Sequence, residues 1–368
     1  MAVSKIGLRR AWFQVHKWIG LLLAVLIIPL SLSGSALVWH DALDKVINPQ
    51  RYALTSAAAR QPAEAYAAAA QAVLAPGERI ASLTIEPGEP VTVMAAQPPR
   101  KGAGGRPART MVWLDPGSAR VLDKADSQAG IMRTVHLLHG SLLVPGVGRT
   151  IVGWLGVAML LSSLSGLWLW WPTVGRWTRG LRWRRHRNFD TNLHHLFGFW
   201  IALPLLVLSL TGAWISFPSF FAGLSGGKAQ QAQGGGDRAA RLRARPLETP
   251  ALTPAAAIAS AQAQAPGAVA ALTWPTDRKA EWSVTLRPAH GKPATVAVED
   301  ASGAARIGHG EGEGPGRSGL ARTMRRIHDG TDMGPVWQTI IFLGGLLPAA
   351  LAVTGIIMWW RARGWRGA

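Results

Sequence analysis

Histidines at repeated positions are the residues of this sequence that could do chemistry. His16 and His194 each begin a long apolar segment, and they lie 178 residues apart (194 − 16). The same offset relates two short runs further along, Ser31-Leu32-Ser33-Gly34 and Ser209-Leu210-Thr211-Gly212. A neutral imidazole is a common metal ligand. The repetition therefore predicts that the two histidines act as an equivalent pair.

A second pair of histidines follows from another alignment. The run Ser165–Trp171 parallels Thr354–Trp360 at an offset of 189 (355 − 166), which places His139 on His328. Two imidazoles on different helices can fill both axial positions of one haem iron. We therefore expect two haems, the inner one held by His16 and His194 and the outer one by His139 and His328.

Neighbouring residues refine the ligand prediction. Gly20 and Gly198 lie one helical turn after His16 and His194, where the missing side chain leaves room for a flat macrocycle. His195 aligns with Lys17 and is an alternative to His194, and His136, one turn before His139, is an alternative in the outer pair. A single histidine at a membrane surface is more often a polar cap. The symmetry of the four favours ligation.

Four uncharged apolar runs must position these histidines. Each is long enough to cross about 30 Å of hydrocarbon as a helix, the form that satisfies the backbone in lipid. The first run could instead be a signal peptide, but its apolar core exceeds that of a typical signal and its twin is internal. The predicted spans are Trp18–Trp39, Ile151–Trp171, His194–Phe221 and Trp337–Trp360.

Charge predicts the orientation of the spans. Basic residues concentrate before the first span, after the fourth, and in the loop 172–191, and the formal net charge is +19. The positive-inside rule places these segments in the cytoplasm. Because the arginines border membrane spans, we do not expect nucleic-acid binding. Cysteine is absent, which excludes thiol catalysis and thiolate-bound iron–sulfur clusters.

The two long segments between spans are predicted to be outer modules of one helix and a small sheet. The first has a helix over Pro62–Ala75 and the second a helix over Thr253–Gln264, and each sheet ends at a turn, Asp115–Ser118 or Asp300–Gly303. Gly-rich stretches at 101–107, 223–245 and 308–319 are predicted loops. The predicted strands are Ile80–Ile85, Val91–Ala95, Thr110–Leu114, Ala268–Trp274, Glu281–Leu286 and Thr295–Val298.

Four short histidine-containing runs carry a resemblance to a known family. The chain resembles the PepSY-associated transmembrane proteins, or iron-regulated membrane proteins, which include haem-containing siderophore reductases of bacterial inner membranes. Its fourth run departs slightly from the family's Leu-His-Thr-Gly but keeps the histidine. The runs are His16–Gly20, Leu138–Leu143, Leu193–Gly198 and Ile327–Gly330.

The resemblance implies an α-helical integral membrane protein with four transmembrane helices in two tandem repeats and two small α+β PepSY-like periplasmic modules. The implied activity is a haem-dependent reductase that uses two b-type haems to reduce ferric siderophore in the periplasm. We expect the electron donor to be a quinol or a cytoplasmic reductase. The predicted domains are residues 1–40 with the first span, 41–132 as module one, 133–172 with the second span, 173–190 as a cytoplasmic basic loop, 191–222 with the third span, 223–320 as module two, and 321–368 with the fourth span and tail.

Two other functions remain open from the sequence. The modules could regulate or bind an envelope protein without redox chemistry. The chain could also transport iron or siderophore, although the repeat is parallel and no span carries an acidic or basic residue at mid-depth.

Overall fold

The structure, a computed structural model, describes residues 5–98, 108–171, 176–183, 186–224, 244–308 and 319–364. The predicted loop 101–107 and most of the stretches 223–245 and 308–319 lie outside these residues. The chain divides into two compact units, one formed by Met1–His40, Thr134–Gly227 and Ser318–Ala368, the other by Asp41–Arg133 and Lys228–Arg317. The helices in chain order are α1 Lys5–Val38, α2 His40–Ile47, α3 Ala63–Gln71, α4 Ile131–Ser141, α5 Gly148–Trp170, α6 Phe189–Ser216, α7 Pro218–Leu224, α8 Pro254–Gln264, α9 Gly319–Asp329 and α10 Gly334–Gly364.

Four helices of the first unit are long and apolar enough to cross a membrane, as predicted: α1, α5, α6 and α10. Their outward side chains are apolar, and Leu22, Val25 and Leu203 are each at least 70% exposed. Such a surface is suited to lipid. The chain is therefore a multi-pass membrane protein. The helices α1 and α10 extend beyond the uncharged runs, because their flanking polar residues continue the helix.

Packing within the helical unit joins each half of the chain to the other. The helix α1 packs against α10 and α5, and α6 packs against the same two helices. Small residues allow close approach: a methyl group at Gly345 would lie 2.7 Å from the Ser31 carbonyl oxygen, and the Ser35 hydroxyl donates to the Phe342 carbonyl at 2.7 Å. Consequently α1 and α6, the two helices with equivalent sequences, are held on opposite sides of α5 and α10.

The second unit contains one antiparallel sheet of eight strands in the order β4-β3-β2-β1-β5-β6-β7-β8. Tyr66 on α3 and Ala257 on α8 belong to the same buried core as Leu83 and Trp282 of the sheet. Alternate strand residues face this core, the period of two that places an apolar face inward. The strands are β1 Arg79–Thr84, β2 Val91–Ala96, β3 Arg109–Leu114, β4 Val121–Asp126, β5 Ala268–Thr273, β6 Glu281–Arg287, β7 Ala294–Glu299 and β8 Ala305–Gly308.

The structure differs from the expected pair of modules, each with a small sheet of its own. β1 pairs with β5 from Ser82↔Thr273 to Thr84↔Ala271, so the two predicted sheets are one. The six predicted strands are present, and the structure adds β4 and β8, which were not predicted. Both added strands lie at the sheet edges, and their charged, partly exposed residues do not show an apolar alternation.

Candidate functional site

The inner histidines lie opposite each other within the helical unit. The ring centroids of His16 on α1 and His194 on α6 are 6.4 Å apart, with an interplanar angle of 85°. His195, the alternative from the sequence, instead stacks on His186 with ring centroids 4.4 Å apart. The structure therefore brings His194, not His195, to His16.

The outer histidines also form a pair. His139 on α4 and His328 on α9 have ring centroids 6.1 Å apart and an interplanar angle of 35°. His136, the alternative on α4, lies one turn earlier and is exposed to solvent. It is His139 that the structure places opposite His328.

Backbone carbonyl oxygens fix the ring orientation of one histidine in each pair. Nδ1 of His16 lies 3.1 Å from the carbonyl oxygen of Ser162, and Nδ1 of His139 lies 2.9 Å from that of Leu30. A carbonyl oxygen only accepts, so Nδ1 must carry the proton and donate it. In this tautomer Nε2 has a free lone pair, the form that ligates a metal.

Threonine hydroxyls do the same for the other two histidines. Nδ1 of His194 lies 2.9 Å from Thr354 Oγ1, and Nδ1 of His328 lies 3.0 Å from Thr211 Oγ1. Each hydroxyl already donates its proton to a carbonyl one turn back in its own helix, that of Ala350 or Val207. The hydroxyl must therefore accept from Nδ1, and Nε2 again has a free lone pair.

A glycine lies against each of the four rings, directly after a serine or threonine. A methyl group built on Gly34 would lie 2.7 Å from Cε1 of His139, and one built on Gly166 would lie 3.0 Å from Cε1 of His16. The corresponding distances are 3.1 Å from Gly212 to His328 and 3.6 Å from Gly355 to His194. The pairs are Ser33-Gly34, Ser165-Gly166, Thr211-Gly212 and Thr354-Gly355.

The glycines of these four pairs lie against the paired histidine rings, and the sequence interpretation did not assign them a role. The offset of 178 already aligned Ser33-Gly34 with Thr211-Gly212, and the offset of 189 aligned Ser165-Gly166 with Thr354-Gly355, but none of these residues was given a role. Each of these glycines lies on a helix that neighbours the one carrying its histidine. Identifying them from the sequence would require knowing which spans pack against each other.

Gly20 and Gly198, the glycines predicted to lie beside a macrocycle, have a different environment. A methyl group at either position would have no heavy atom within 4 Å outside its own helix turn. Each therefore borders open space one turn from a ligand candidate. Their role beside a macrocycle stays a prediction, and the ring contacts are made by other glycines.

The distance between paired rings suits a shared iron atom. A metal–imidazole bond is about 2.0 Å long, and each ring centre lies roughly 1 Å beyond its nitrogen, so two rings on opposite sides of one metal have centroids roughly 6 Å apart. The observed distances are 6.4 and 6.1 Å. Among the described residues no group of three or more His, Asp or Glu side chains could hold a metal ion. Two axial imidazoles with no further protein ligand are what a haem iron takes.

The two pairs lie at different depths of the helical unit. On α1, His16 is fourteen residues (30 − 16) before Leu30, whose carbonyl contacts His139. At 1.5 Å per residue this separation is about 21 Å. It covers much of the roughly 30 Å hydrocarbon layer.

Comparison with known proteins gives one family. A search of curated proteins found no match to this chain. The profile of the family described as PepSY-associated TM region matches residues 13–362, which is nearly the whole chain and includes all four paired histidines. The chain therefore belongs to the family of PepSY-associated transmembrane proteins.

Proposed function

We propose that the protein is an inner-membrane ferric-siderophore reductase that binds two b-type haems. The observation that carries the proposal is the presence of two imidazole pairs at iron-bridging distance, 6.4 and 6.1 Å between ring centroids, at different depths of one helical bundle. A structural role for the histidines would not require all four Nδ1 atoms to be fixed by acceptors.

The chain's own residues would bind and orient the cofactor. His16 and His194 are the proposed axial ligands of the inner haem, and His139 and His328 those of the outer haem. The acceptors on Nδ1 hold each ring in place and raise its strength as a ligand. When bound, b-type haem supplies reversible one-electron transfer between ferric and ferrous states.

The orientation of the chain gives the reaction a direction. In the predicted topology both termini are cytoplasmic, so His16 and His194 lie near the cytoplasmic side and His139 and His328 near the periplasm. The proposed overall reaction takes one electron per iron from a quinol or a cytoplasmic reductase and reduces ferric siderophore in the periplasm. Ferrous iron binds hard oxygen ligands more weakly than ferric iron, so reduction releases the metal.

Absorption spectroscopy of the detergent-purified protein tests this proposal. We expect a b-type spectrum that changes on reduction and a haem-to-protein ratio near two. His16→Ala or His194→Ala should remove one haem and leave the other, and His139→Ala or His328→Ala should do the converse. His195→Ala and His136→Ala are the matched controls and should retain both.

A folded but colourless protein would contradict the proposal. It would instead support a regulatory or binding role for the sheet unit, or transport of iron or siderophore. Loss of both haems only in the control variants would contradict the ligand assignment.

A further inference from the structure

The helix α9, which carries His328, has a strongly basic face. Arg322, Arg325 and Arg326 are all exposed and lie on one side of the helix, at spacings of three and four residues. Met324 and Ile327, on another side, are half-buried, and α9 packs on α6. The packed face is thus apolar and the accessible face is cationic.

Two of these arginines have no acidic partner in the part of the chain that the structure describes. Among the described residues, Arg322 and Arg325 form no salt bridge. The nearest acid in the helix, Asp329, accepts hydrogen bonds from the backbone N–H and the hydroxyl of Thr331 at 3.0 and 2.7 Å. The basic face is therefore available to an external anion.

The spacing places this charge beside the outer histidine pair. Arg325 is three residues before His328 and lies about 60° from it around the axis of α9, and Arg322, three residues earlier, lies about 120° from it, so the basic face adjoins the side that carries His328. The offset of 189 that relates His139 to His328 also relates His136 to Arg325. A basic or titratable residue thus occurs one turn before each outer histidine.

The location also opposes the usual distribution of charge around membrane spans. Arg322 is twelve residues (334 − 322) before Gly334, where the fourth span begins. In the proposed orientation this side is periplasmic, and Lys and Arg this close to a span disfavour that orientation. Three arginines placed against the rule indicate that the charge has a use on this side.

We propose that Arg322 and Arg325 bind the carboxylate or other anionic groups of a negatively charged ferric chelate, which holds its iron beside the outer histidine pair. This inference rests on the proposed function, and it specifies the charge class of the substrate. A cationic chelate would be repelled by the same face.

Binding of redox-inert gallium(III) chelates tests this inference without electron transfer. The full chain in nanodiscs of neutral lipid is titrated calorimetrically with gallium citrate, which is anionic, and with gallium desferrioxamine B, which is cationic. We expect the double variant Arg322→Gln/Arg325→Gln to bind gallium citrate about fivefold to tenfold more weakly and to bind the cationic chelate no more weakly. The double lysine variant should retain most of the binding, and added salt should weaken it.

The control Arg187→Gln removes the same exposed charge near the other end of α6 and should bind as the parent protein does. Equal weakening for both chelates would overturn the inference. A loss of outer-haem absorbance in the glutamine variant would also overturn it, because the arginines would then interact with the prosthetic group. Weaker chelate binding seen only with anionic lipid would overturn it as well, because the arginines would then interact with the membrane. Charge-selective binding without any reduction of ferric citrate would instead contradict the proposed function alone.

Discussion

Each of the four histidines forms a hydrogen bond with a second residue on another helix. The place of that second residue in its own helix determines whether it donates or accepts this bond. Thr354 illustrates this, because its hydroxyl both donates to the Ala350 carbonyl at 2.9 Å and faces Nδ1 of His194 at 2.9 Å. A side chain that has used its only proton can serve the imidazole only as an acceptor. The local helix bond therefore determines the tautomer of a residue on another helix.

The first prediction concerns this acceptor. Thr354→Val removes the hydroxyl acceptor at nearly constant shape. In the proposed inner haem site, His194 would then be a weaker donor to the iron, and the ferric state would lose stabilisation. We expect the midpoint potential of the inner haem to rise by roughly 20–60 mV, which corresponds to one neutral hydrogen bond in a one-electron couple. A potentiometric titration followed by absorbance measures it.

Thr339→Val is the matched control for Thr354→Val. Thr339 lies on the same helix and donates to a carbonyl one turn back, that of Pro335, at 2.8 Å. No hydrogen bond among the described residues joins Thr339 to a histidine. Its replacement should leave both potentials unchanged. Equal shifts in the two variants would show that Thr354 acts only through helix stability.

At the scale of helices, glycines determine how closely a histidine-bearing helix approaches its neighbour. The four contacts are not equal. The ring of His139 lies so close to Gly34 that a methyl group would be 2.7 Å from Cε1, whereas a methyl group at Gly355 would be at an ordinary 3.6 Å from His194. The contact of the His139 ring with α1 therefore depends most strongly on the absence of a side chain, at Gly34.

A second prediction follows from this difference in packing. Gly34→Ala should push the His139 ring away from its place opposite His328 and cost about 1–3 kcal/mol of stability, as overpacking does. We expect the outer haem to be lost or to become high-spin while the inner haem is retained. The measurements are the haem-to-protein ratio and electron paramagnetic resonance. Gly355→Ala should retain both haems, and a loss of the inner haem there would contradict this account.

At the scale of the molecule, the repeat in the sequence was the most informative signal. The offsets of 178 and 189 predicted both histidine pairs, because residues at equivalent positions of paired helices face each other. The spans and six strands were also predictable, since each has a clear apolar period. The joining of the two predicted sheets into one was not predictable. The β1–β5 pairing joins residues 82–84 to 271–273, and no local sequence pattern indicates a contact between segments so far apart in the chain.

Buried carboxylates in the sheet unit predict its response to acid. Burial by itself would raise the pKa of Asp300, but hydrogen bonds from the backbone N–H groups of Ala251 and Leu252 and from the Trp282 indole outweigh burial and lower it. For Asp115, too, burial is outweighed by the Ser118 and Thr55 donors, and its pKa is lowered. A lowered pKa contributes stability above the unfolded value of about 3.9 that is lost as pH falls through the folded value.

We therefore expect the sheet unit to lose stability below about pH 4. Asp300→Asn should be less stable than the parent protein by about 1–3 kcal/mol at pH 7, and this difference should shrink as pH falls below 4. Thermal unfolding followed by tryptophan fluorescence at several pH values measures it. Asp277→Asn, at an exposed position, is the control and should have a smaller effect. A difference for Asp300→Asn that does not depend on pH would contradict this assignment.

The pairing of β1 with β5 covers a strand edge that each four-stranded half would expose if it were a separate protein. Without its partner, each four-stranded half would present a bare row of backbone N–H and C=O groups along one margin, which in proteins attracts another strand. Two identical halves would satisfy that need by joining along this margin as a symmetric dimer. Here both halves belong to one chain, so β1 and β5 pair within the molecule and these strand edges are not available to strands of other proteins.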